Sequence, residues 1–447
     1  MRVCVIGTGY VGTVTAVCLA HTGHEVIGLE QDLDKLAKLE KGDLPFVEPD
    51  TEPLLRACID SGNLRFTDDV ADAVGSSQVI FICVGTPLTP SGDADIEALR
   101  TVATSIAPHL ANEFKTIVTK STVPVGSGDW ITMLIEDVLG PHAAKDHGFG
   151  VVSNPEFLRE GSAVDDFLYP DRIVLGSGNP RALDAVADLY EPVIKQTFSN
   201  ARPEIAPVPL IRTTLESAEM IKYAANAFLA TKISFINEIA NICERIGGDV
   251  DQVAEGIGLD HRIGSAFLAA GIGWGGSCFR KDILALKRTA EEYGYAPKLL
   301  QSTVEVNDFQ RTSVIRKLQD ELKILKGKRI GLLGLAFKPD TDDLRDAPAL
   351  SLIDRLNSAG CRVAVIDPVV DDLGDRNDLV HFASNVEEIA DGADALVLVT
   401  EWEGFRGLDF ASLGEVMRTK LVIDGRNCLS AQAAHEAGFR YVGVGRA

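Results

Sequence analysis

A glycine-rich turn near the N-terminus constrains the fold more than any other feature of this chain. Gly7, Gly9 and Gly12 stand between a short apolar run, Val3 to Ile6, and a helical pattern. In a strand–turn–helix unit the first glycine permits a tight turn, the second admits a pyrophosphate to the backbone, and the third allows close packing of the helix. The segment therefore predicts a dinucleotide-binding, Rossmann-like unit.

An acidic residue after the next apolar run discriminates between the two nicotinamide dinucleotides. Glu30 follows the run from Glu25 to Leu29. A carboxylate at this position accepts hydrogen bonds from the ribose hydroxyls and repels a 2′-phosphate, so we predict NAD rather than NADP. Lys35 is a candidate for the adenosine side, although an ordinary solvent-exposed helix lysine is an equally good interpretation.

The order of apolar patterns along the chain predicts the fold class. Short β-branched runs alternate with helical patterns up to Leu175, a long amphipathic helix runs from about Glu216 to Ile246, and a second series of strands opens at Arg329. Alternating strands and helices indicate parallel, doubly wound sheets. We predict an α/β protein with two Rossmann-like domains, 1–203 and 313–447, joined by a long central helix and a helical dimerisation region, 204–312.

Composition argues against several classes of function. The formal charge of -22 over 447 residues disfavours binding to nucleic acid or to an anionic membrane, because both depend on clustered lysine and arginine. No apolar run approaches the roughly 18 to 20 residues that a membrane span requires. The N-terminus has no signal-peptide pattern. We expect a cytoplasmic protein that binds neither nucleic acid nor membrane.

One of the eight cysteines differs from the others. The set is scattered, without CxxC pairs or clustered histidines, so we expect neither a metal site nor a disulfide scaffold. Cys278, however, lies in a glycine-rich segment, Gly271 to Asp282, at the start of a helical pattern. A helix N-terminus with Arg280 and Lys281 adjacent stabilises a thiolate. We also expect the glycines to leave room for a bulky substrate.

A thiolate beside NAD suggests a specific chemistry. It can attack an aldehyde to give a thiohemiacetal, whose oxidation gives a thioester that water cleaves to an acid. Lys222 and Asn226, four apart on the predicted long helix, would present a cation and an amide donor to the same oxyanion. Glu156 and Glu160 would also share a face if Pro155 starts a helix. The alternative for these groups is an incidental cysteine with solvated side chains.

Taken together, these segments resemble the UDP-glucose/GDP-mannose dehydrogenase family over essentially the whole chain. The segment Ser277 to Lys281 is most similar to the UDP-glucose branch of that family. The matching stretches are Gly7 to Gly12, Val84 to Pro87, Lys120 to Gly126, Asn154 to Gly161, Lys222 to Glu238, Gly271 to Asp282 and Phe337 to Arg345.

The resemblance implies an activity and a set of roles. The activity is the NAD-dependent, four-electron oxidation of UDP-glucose to UDP-glucuronate through a thioester on Cys278. Lys222 and Asn226 would stabilise the oxyanion, and Asp282 would work with Lys222 and a water. Glu156 would promote hydrolysis of the thioester, with Thr122 ordering water nearby.

The resemblance also implies binding residues and a partner. The C-terminal domain would bind the nucleotide sugar, and the protein would form a homodimer in which Arg262 reaches the substrate of the neighbouring subunit. The residues implied at the cofactor are Gly7, Gly9, Tyr10, Val11, Gly12, Glu30, Lys35, Val84, Gly85, Thr86, Ser121, Thr122, Glu160 and Arg345. Those implied at the substrate are Glu156, Phe157, Leu158, Arg159, Glu160, Lys222, Asn226, Arg262, Gly271, Trp274, Gly275, Cys278, Phe337, Lys338 and Arg426.

Several alternatives remain open from the sequence. The same reaction on dTDP-glucose, GDP-mannose or a UDP-N-acetyl-hexosamine uses similar motifs, and Trp274 departs from the phenylalanine or tyrosine that the family often carries. A β-hydroxyacid dehydrogenase also places a lysine and an asparagine beside NAD, but it needs neither Cys278 nor a second α/β domain. A non-catalytic nucleotide-sugar-binding protein would not need Cys278 together with Lys222 and Glu156.

Overall fold

The computed structural model of the protein describes residues 1–89, 94–110 and 113–446. The chain divides into two compact units, the first formed by Met1–Ala225 with Leu284–Tyr293 and the second by Asn226–Ile283 with Gly294–Ala447. The domain boundaries predicted from the sequence, which divide the chain into three parts, stay a prediction.

The first unit is built on an eight-stranded sheet with the order β3-β2-β1-β4-β5-β6-β7-β8. Neighbouring strands are parallel except β6 and β7, which pair antiparallel at Ser153 and Gly176. The strands are β1 (Arg2–Ile6), β2 (Glu25–Leu29), β3 (Leu64–Thr67), β4 (Val79–Ile82), β5 (Lys115–Thr119), β6 (Phe149–Ser153), β7 (Ile173–Gly176) and β8 (Leu210–Thr213).

Both faces of the central strands of this sheet are buried, which is why those strands are apolar at successive positions. Val3 and Val5 of β1 belong to one apolar cluster, and Cys4 and Ile6 belong to another. Side chains alternate across a strand, so the sheet separates two cores, each covered by helices. The helices are α1 (Tyr10–His21), α2 (Leu33–Glu40), α3 (Thr51–Asp60), α4 (Val70–Ser76), α5 (Glu97–Ile106), α6 (Ser127–His147, kinked at Gly140), α7 (Ala163–Leu168), α8 (Pro180–Leu189) and α9 (Glu191–Lys195).

Helix α10 (Leu215–Ile246) begins in the first unit and continues into the second. It matches the long helix predicted from the apolar spacing. It is followed by α11 (Val250–Gly258), α12 (Phe279–Glu292), α13 (Lys298–Gln310) and α14 (Ser313–Leu322). No helix among the described residues combines the length and the apolar character needed to cross a membrane.

The second unit contains a six-stranded parallel sheet with the order β11-β10-β9-β12-β13-β14. Its strands are β9 (Arg329–Leu333), β10 (Arg362–Ile366), β11 (Val380–Phe382), β12 (Ala395–Leu398), β13 (Leu421–Asp424) and β14 (Arg440–Val442). Its further helices are α15 (Pro348–Ser358), α16 (Val386–Ala390), α17 (Glu403–Arg406), α18 (Phe410–Val416) and α19 (Ala431–Glu436). The predicted fold class, α/β with two Rossmann-like parallel-sheet domains, is confirmed.

The condition set for a shared face of Glu156 and Glu160, a helix that starts at Pro155, is not met. Residues 154–159 form no helix, and the next helix, α7, begins only at Ala163. The backbone here is held by side chains from elsewhere in the first unit, described below, so Glu156 and Glu160 do not share a helix face.

Candidate active site

The glycine turn after β1 has the geometry that a bound dinucleotide requires. Gly7 has a φ of +84°, a conformation that other residues rarely adopt. A Cβ on Gly12 would stand 1.9 Å from the Gly7 carbonyl oxygen, so only glycine lets α1 pack this closely. A Cβ on Gly9 would meet nothing within 4 Å. The space beside Gly9, at the N-terminus of α1, is therefore open to a phosphate group.

Glu30 is fixed in place at the end of β2. Its carboxylate accepts hydrogen bonds from the Thr8 hydroxyl at 2.7 Å and from the backbone N–H groups of Gln31 and Asp32 at 2.9 and 3.0 Å. Lys35 Nζ lies 3.6 Å from the same carboxylate. Burial raises the pKa of Glu30, but these bonds and Lys35 outweigh it and hold the pKa below its ordinary value. Glu30 is thus an oriented anion suited to ribose hydroxyls.

The ends of β4 and β5 are joined by two hydroxyl groups from the predicted cofactor site. Ser121 Oγ donates to the Val84 carbonyl oxygen at 2.6 Å. Thr86 Oγ1 donates to the Thr122 carbonyl oxygen at 2.7 Å. A Cβ on Gly85 would meet nothing within 4 Å. In a parallel doubly wound sheet, ligands bind outside the carboxyl ends of the strands, where these loops lie.

Glu156 and Lys222 form a buried ion pair in the first unit. Lys222 Nζ lies 2.9 Å from Glu156 Oε1, and the two side chains are 5% and 6% exposed. The other oxygen of Glu156 accepts from the Leu158 backbone N–H at 2.6 Å. Burial raises the pKa of Glu156, but the charge of Lys222 and these hydrogen bonds bring the pKa below its ordinary value. Glu156 is therefore an ionised carboxylate.

The rest of the loop from Asn154 to Gly161 is held by cations that the sequence analysis missed or assigned differently. The Arg172 guanidinium stacks 3.6 Å from the centre of the Phe157 ring. Arg159, predicted at the substrate, makes a bidentate ion pair with Asp166, in which Arg159 Nη2 lies 2.6 Å from the carboxylate. Its guanidinium is thus committed to Asp166 within the first unit.

Glu48 and Tyr10 connect this loop to the glycine turn. The Glu48 carboxylate accepts from the backbone N–H groups of Gly161 at 2.6 Å and Ala163 at 2.8 Å. The Tyr10 hydroxyl donates to the Arg159 carbonyl oxygen at 3.0 Å. Tyr10 was predicted at the cofactor, but Glu48 was missed, because its partners lie more than a hundred residues away in the chain.

Lys120 is a second buried cation beside Glu156. Lys120 Nζ donates to Asn154 Oδ1 at 3.1 Å and to the Tyr190 hydroxyl at 3.3 Å. Lys120 and Glu156 line the same pocket. Burial lowers the pKa of Lys120 to about 8, although Cys83 and Glu156 act in the opposite direction. Lys120 begins the stretch from Lys120 to Gly126 that matches the family, and this was the only sign of a role in the sequence. The sequence gives no reason to expect that Lys120 is buried.

In the second unit, Cys278 directly precedes α12. Cys278 is partly exposed, unlike six of the eight cysteines, which are buried. The Asp282 backbone N–H donates to the Cys278 carbonyl oxygen at 2.9 Å, which starts the helix. Cys428 is also partly exposed, but burial and then Asp424 and Glu401 raise the pKa of its thiol to about 11. The helix N-terminus distinguishes Cys278 as the candidate nucleophile.

Asp282 organises the polar groups next to Cys278. It is fully buried, and its carboxylate accepts from Asn226 Nδ2 at 2.6 Å and from Lys281 Nζ at 2.6 Å. The structure therefore brings Cys278, Asn226 and Asp282 together within the second unit. Lys222, Glu156 and Thr122 belong to the first unit.

The expectation that the glycines before Cys278 leave room for substrate is wrong for all four of them. A Cβ on Gly271 would stand 2.9 Å from the Gly425 carbonyl oxygen. Cβ atoms on Gly273, Gly275 and Gly276 would approach within 2.7 Å of Asn307 Oδ1, 2.5 Å of the Asp346 carbonyl oxygen and 2.8 Å of the Phe337 ring, respectively. Protein atoms already occupy these positions, so the glycines serve close packing. Trp274 is buried as well, and its Nε1 donates to Ser234 Oγ at 3.0 Å.

Arg426, predicted at the substrate, connects the loop before Cys278 to the second sheet. It donates to the carbonyl oxygens of Val399 at 2.8 Å, Gly273 at 3.2 Å and Phe337 at 3.3 Å. The same Nε that donates to Val399 also lies 3.2 Å from Glu401, a residue that the sequence did not indicate. The guanidinium has five N–H groups, so this arrangement leaves two for a ligand.

Three other predicted cations lie in the second unit. Arg345 forms a bidentate ion pair with Asp343 in the same loop, in which Arg345 Nη2 lies 2.8 Å from the Asp343 carboxylate. Arg262 is exposed and pairs with Asp260 at 2.6 Å. The Lys338 ammonium lies 5.7 Å from the centre of the Phe337 ring. Among the described residues, no cluster of three or more His, Cys, Asp or Glu side chains is arranged to hold a metal ion.

Comparison with known families agrees with this geometry. Residues 1–194 match the NAD binding domain of the UDP-glucose/GDP-mannose dehydrogenase family, residues 216–309 its central domain, and residues 331–431 its UDP binding domain. The chain belongs to the UDP-glucose/GDP-mannose dehydrogenase family. The resemblance inferred from the sequence motifs is confirmed.

Individual members of the family match over the full length. UDP-glucose 6-dehydrogenase of Rhizobium meliloti (strain 1021) is 44% identical over 453 residues, covering 100% of both chains. UDP-glucose 6-dehydrogenase TuaD of Bacillus subtilis (strain 168) is 42% identical, covering 100% of this chain and 93% of its own. A solved UDP-glucose dehydrogenase from the archaeon Pyrobaculum islandicum is 35% identical, with a TM-score of 0.89, covering 100% of this chain and 98% of its own.

Membership of the UDP-glucose/GDP-mannose dehydrogenase family establishes two ligands. NAD is the cofactor, as predicted, because residues 1–194 match the NAD binding domain. The open space beside Gly9 and the anchored carboxylate of Glu30 fit its diphosphate and its ribose, respectively. A nucleotide sugar is the substrate, because residues 331–431 match the UDP binding domain.

Proposed function

We propose that the protein oxidises the C6 alcohol of UDP-glucose to a carboxylate, giving UDP-glucuronate and reducing two NAD per sugar. The observation that carries this proposal is the partly exposed Cys278 at the N-terminus of α12. Asp282, one turn further along α12, is hydrogen-bonded to Asn226 of α10. Full-length relatives at 40 to 44% identity, named UDP-glucose 6-dehydrogenases or putative ones, support the choice of substrate.

The first oxidation converts the alcohol to an aldehyde. NAD, when bound, accepts the hydride in each of the two oxidations. Asp282 accepts the alcohol proton through a water, and hydrogen bonds from Lys281 and Asn226 hold its carboxylate in place. Lys222 and Asn226 donate to the oxygen of C6 as negative charge develops there.

Cys278 carries the second oxidation. Its thiolate forms a bond to the aldehyde carbon, and the carbonyl oxygen becomes the alkoxide of a thiohemiacetal. Loss of a hydride from C6 leaves a thioester. Glu156, ionised beside Lys222, then takes a proton from water, which adds to the thioester and expels the thiolate, with Thr122 ordering that water. The carboxylate product forms, and Cys278 is regenerated.

The binding residues are proposed in two groups. At NAD they are Gly7, Gly9, Tyr10, Val11, Gly12, Glu30, Lys35, Val84, Gly85, Thr86, Ser121, Thr122, Glu160 and Arg345. At the nucleotide sugar they are Glu156, Phe157, Leu158, Arg159, Glu160, Lys222, Asn226, Arg262, Gly271, Trp274, Gly275, Cys278, Phe337, Lys338 and Arg426.

The proposal includes a cytoplasmic homodimer with three domains, 1–203, 204–312 and 313–447. Each of the three family matches lies inside one of these ranges, which supports the boundaries. Apolar side chains exposed on α10 support a dimer, and Arg262, exposed on a loop after α11, would reach the neighbouring subunit's substrate.

The test measures NADH formed per sugar consumed, with UDP-glucose, dTDP-glucose, GDP-mannose and UDP-N-acetyl-hexosamines in parallel. We expect two NADH per UDP-glucose and little turnover of the other sugars. Cys278→Ser should form no uronate, because serine lacks an ionised nucleophile at neutral pH, whereas Cys428→Ser should behave like the wild type. One NADH per sugar, or full conversion by Cys278→Ser, would disprove the thioester route.

A further inference from the structure

The loop that carries Cys278 is held by one side-chain amide of helix α13. Asn307 is fully buried. Its Oδ1 accepts from the Trp274 backbone N–H at 2.8 Å, and its Nδ2 donates to the Trp274 carbonyl oxygen at 3.1 Å. A single side chain thus satisfies both backbone groups of one loop residue, as a neighbouring strand would. Since unpaired buried backbone groups are costly, this pair of bonds determines the register of the loop.

Neighbouring side chains satisfy the adjacent backbone groups in the same manner. The Gly271 N–H donates to Asn237 Oδ1 at 2.8 Å, and the Gly271 carbonyl oxygen accepts from Gln310 Nε2 at 2.7 Å. Arg311 Nη2 donates to the Trp274 carbonyl oxygen at 2.7 Å, beside the bond from Asn307. The loop is therefore held by hydrogen bonds from three side chains at the end of α13 and just beyond it, namely Asn307, Gln310 and Arg311.

The contact is close enough to exclude alternatives. Gly273 has a φ of +100°, and a Cβ on it would stand 2.7 Å from Asn307 Oδ1. The amide therefore occupies the space that a side chain at position 273 would need. Any shift of Asn307 requires the backbone at Gly273 and Trp274 to move with it.

The position of the Cys278 thiol depends on these hydrogen bonds to the loop. Only three residues separate Trp274 from Cys278, and the Gly276 N–H is bonded to the Arg345 carbonyl oxygen at 3.1 Å. On its other side Cys278 begins α12, through the bond from the Asp282 N–H. The thiol is thus set between a fixed helix end and a fixed loop. Misplacing a reacting atom by about 1 Å can cost about 100-fold in rate.

We propose that Asn307 is a positioning residue for the nucleophile, because its paired hydrogen bonds with Trp274 place the Cys278 thiol at the start of α12 for attack on the substrate. The role of Asn307 rests on the proposed function of Cys278. Asn307 itself touches neither substrate nor cofactor in this role.

Two substitutions and a matched control test the proposal. Asn307→Leu keeps the size of the side chain and removes both the donor and the acceptor. Asn307→Asp keeps the acceptor for the Trp274 N–H and removes the donor. Gln301→Leu is the control, because Gln301 is an exposed amide on the same helix. Each variant is assayed for kcat and KM with UDP-glucose, and for the pH dependence of Cys278 alkylation by iodoacetamide, followed by peptide mass mapping.

We expect Asn307→Leu to lower kcat by about 100-fold, with the affinity for NAD unchanged. Its Cys278 should react more slowly at neutral pH, with the alkylation profile moved to higher pH, because the loop shift displaces the thiol relative to the N-terminus of α12. Asn307→Asp should be intermediate, and Gln301→Leu should match the wild type. A role in folding alone would lower thermal stability without moving the alkylation profile of the folded protein.

The proposal is overturned if folded Asn307→Leu matches Gln301→Leu in both kcat and alkylation profile. If Asn307→Leu does not fold, Asn307→Asp decides by the same criterion. Failure of the proposed function is a separate outcome: the wild type would then form no NADH with UDP-glucose, while the alkylation comparison would still decide the role of Asn307.

Discussion

At the scale of single residues, the buried pair of Glu156 and Lys222 combines stability with the proposed chemistry. Both side chains are almost inaccessible, so each charge is tolerated mainly because of the other. The same pairing keeps the pKa of Glu156 low enough for the carboxylate to be ionised at neutral pH. Substitution of either residue therefore affects folding as well as turnover.

This pairing predicts a specific pattern of stability. Lys222→Met should lower the free energy of unfolding by about 3 to 5 kcal/mol, because it removes the cation that is paired directly with the buried Glu156 carboxylate. The double variant Lys222→Met with Glu156→Gln should recover much of that loss while remaining inactive. Urea unfolding of the wild type, both single variants and the double variant measures the coupling. If the losses of the single variants simply add, the two side chains do not stabilise each other.

The candidate residues differ in how far the sequence could predict them. Gly7, Gly12 and Glu30 were predictable because their roles depend on local backbone geometry and on short spacing. Asn307 was not, because its partner Trp274 lies 33 residues earlier and nothing local to either residue indicates the contact. Glu48 was hidden for the same reason.

At the scale of secondary-structure elements, the N-terminus of α6 is capped by a side chain from α10. The Glu219 carboxylate accepts from the backbone N–H groups of Gly126 at 2.7 Å and Gly128 at 3.0 Å. Burial raises the pKa of Glu219 from 4.5 to about 7, although these two N–H groups act in the opposite direction and Glu216 and Asp129 act with burial. The capping carboxylate thus titrates near neutral pH.

The raised pKa of Glu219 predicts a pH-dependent difference in stability. Between pH 4.5 and 7 the folded protein holds a proton on Glu219 that the unfolded chain releases, so the wild type loses stability from this group as pH rises through that window. Glu219→Gln carries no such proton. The free energy of unfolding of Glu219→Gln, relative to that of the wild type, should therefore increase by roughly 3 kcal/mol as the pH rises from 4.5 to 7.

Chemical denaturation at several pH values measures that difference. Glu238→Gln, exposed on the same helix, is the control and should give a difference that does not change with pH. A constant difference for Glu219→Gln as well would mean that the carboxylate is already ionised throughout the window, held by Gly126 and Gly128.

The segment after Pro155 shows why a helix that the sequence allows does not form. The sequence is compatible with a helix start, but Glu156 is bound by Lys222 and by the Leu158 N–H instead. The Glu48 carboxylate accepts a hydrogen bond from the Gly161 backbone N–H, just before the point at which α7 begins. These partners come from distant parts of the sequence, and they outweigh a weak local preference.

At the scale of the whole molecule, the alternation of strands and helices predicted both sheets, since it depends on the burial of two sheet faces. Val3 and Cys4, for example, point into different cores. The strand Leu64–Thr67 was not predicted from the sequence, because it is only four residues long and only two of them are buried. Oligomerisation depends on surfaces whose apolar residues pack against nothing within one chain.

Helix α10 presents such a surface. Phe228, Phe235, Ile242 and Ile246 are 66%, 48%, 46% and 75% exposed, and the first three are spaced seven residues apart. A seven-residue spacing places side chains on one helix face, and a stripe of large apolar side chains is costly to leave in water. The stripe supports the proposed homodimer.

Charge placed on the stripe should therefore separate the subunits. We expect the wild type to have twice the chain mass of 47.9 kDa by light scattering, and Phe228→Glu with Phe235→Glu to have the mass of one chain. Ile324→Glu is the control, since Ile324 is 69% exposed outside α10.

The monomeric variant should also have a higher KM for UDP-glucose, because Arg262 would no longer be supplied across the interface. Arg262→Ala should raise KM without changing the mass. A double variant that remains dimeric would move the interface away from this face of α10.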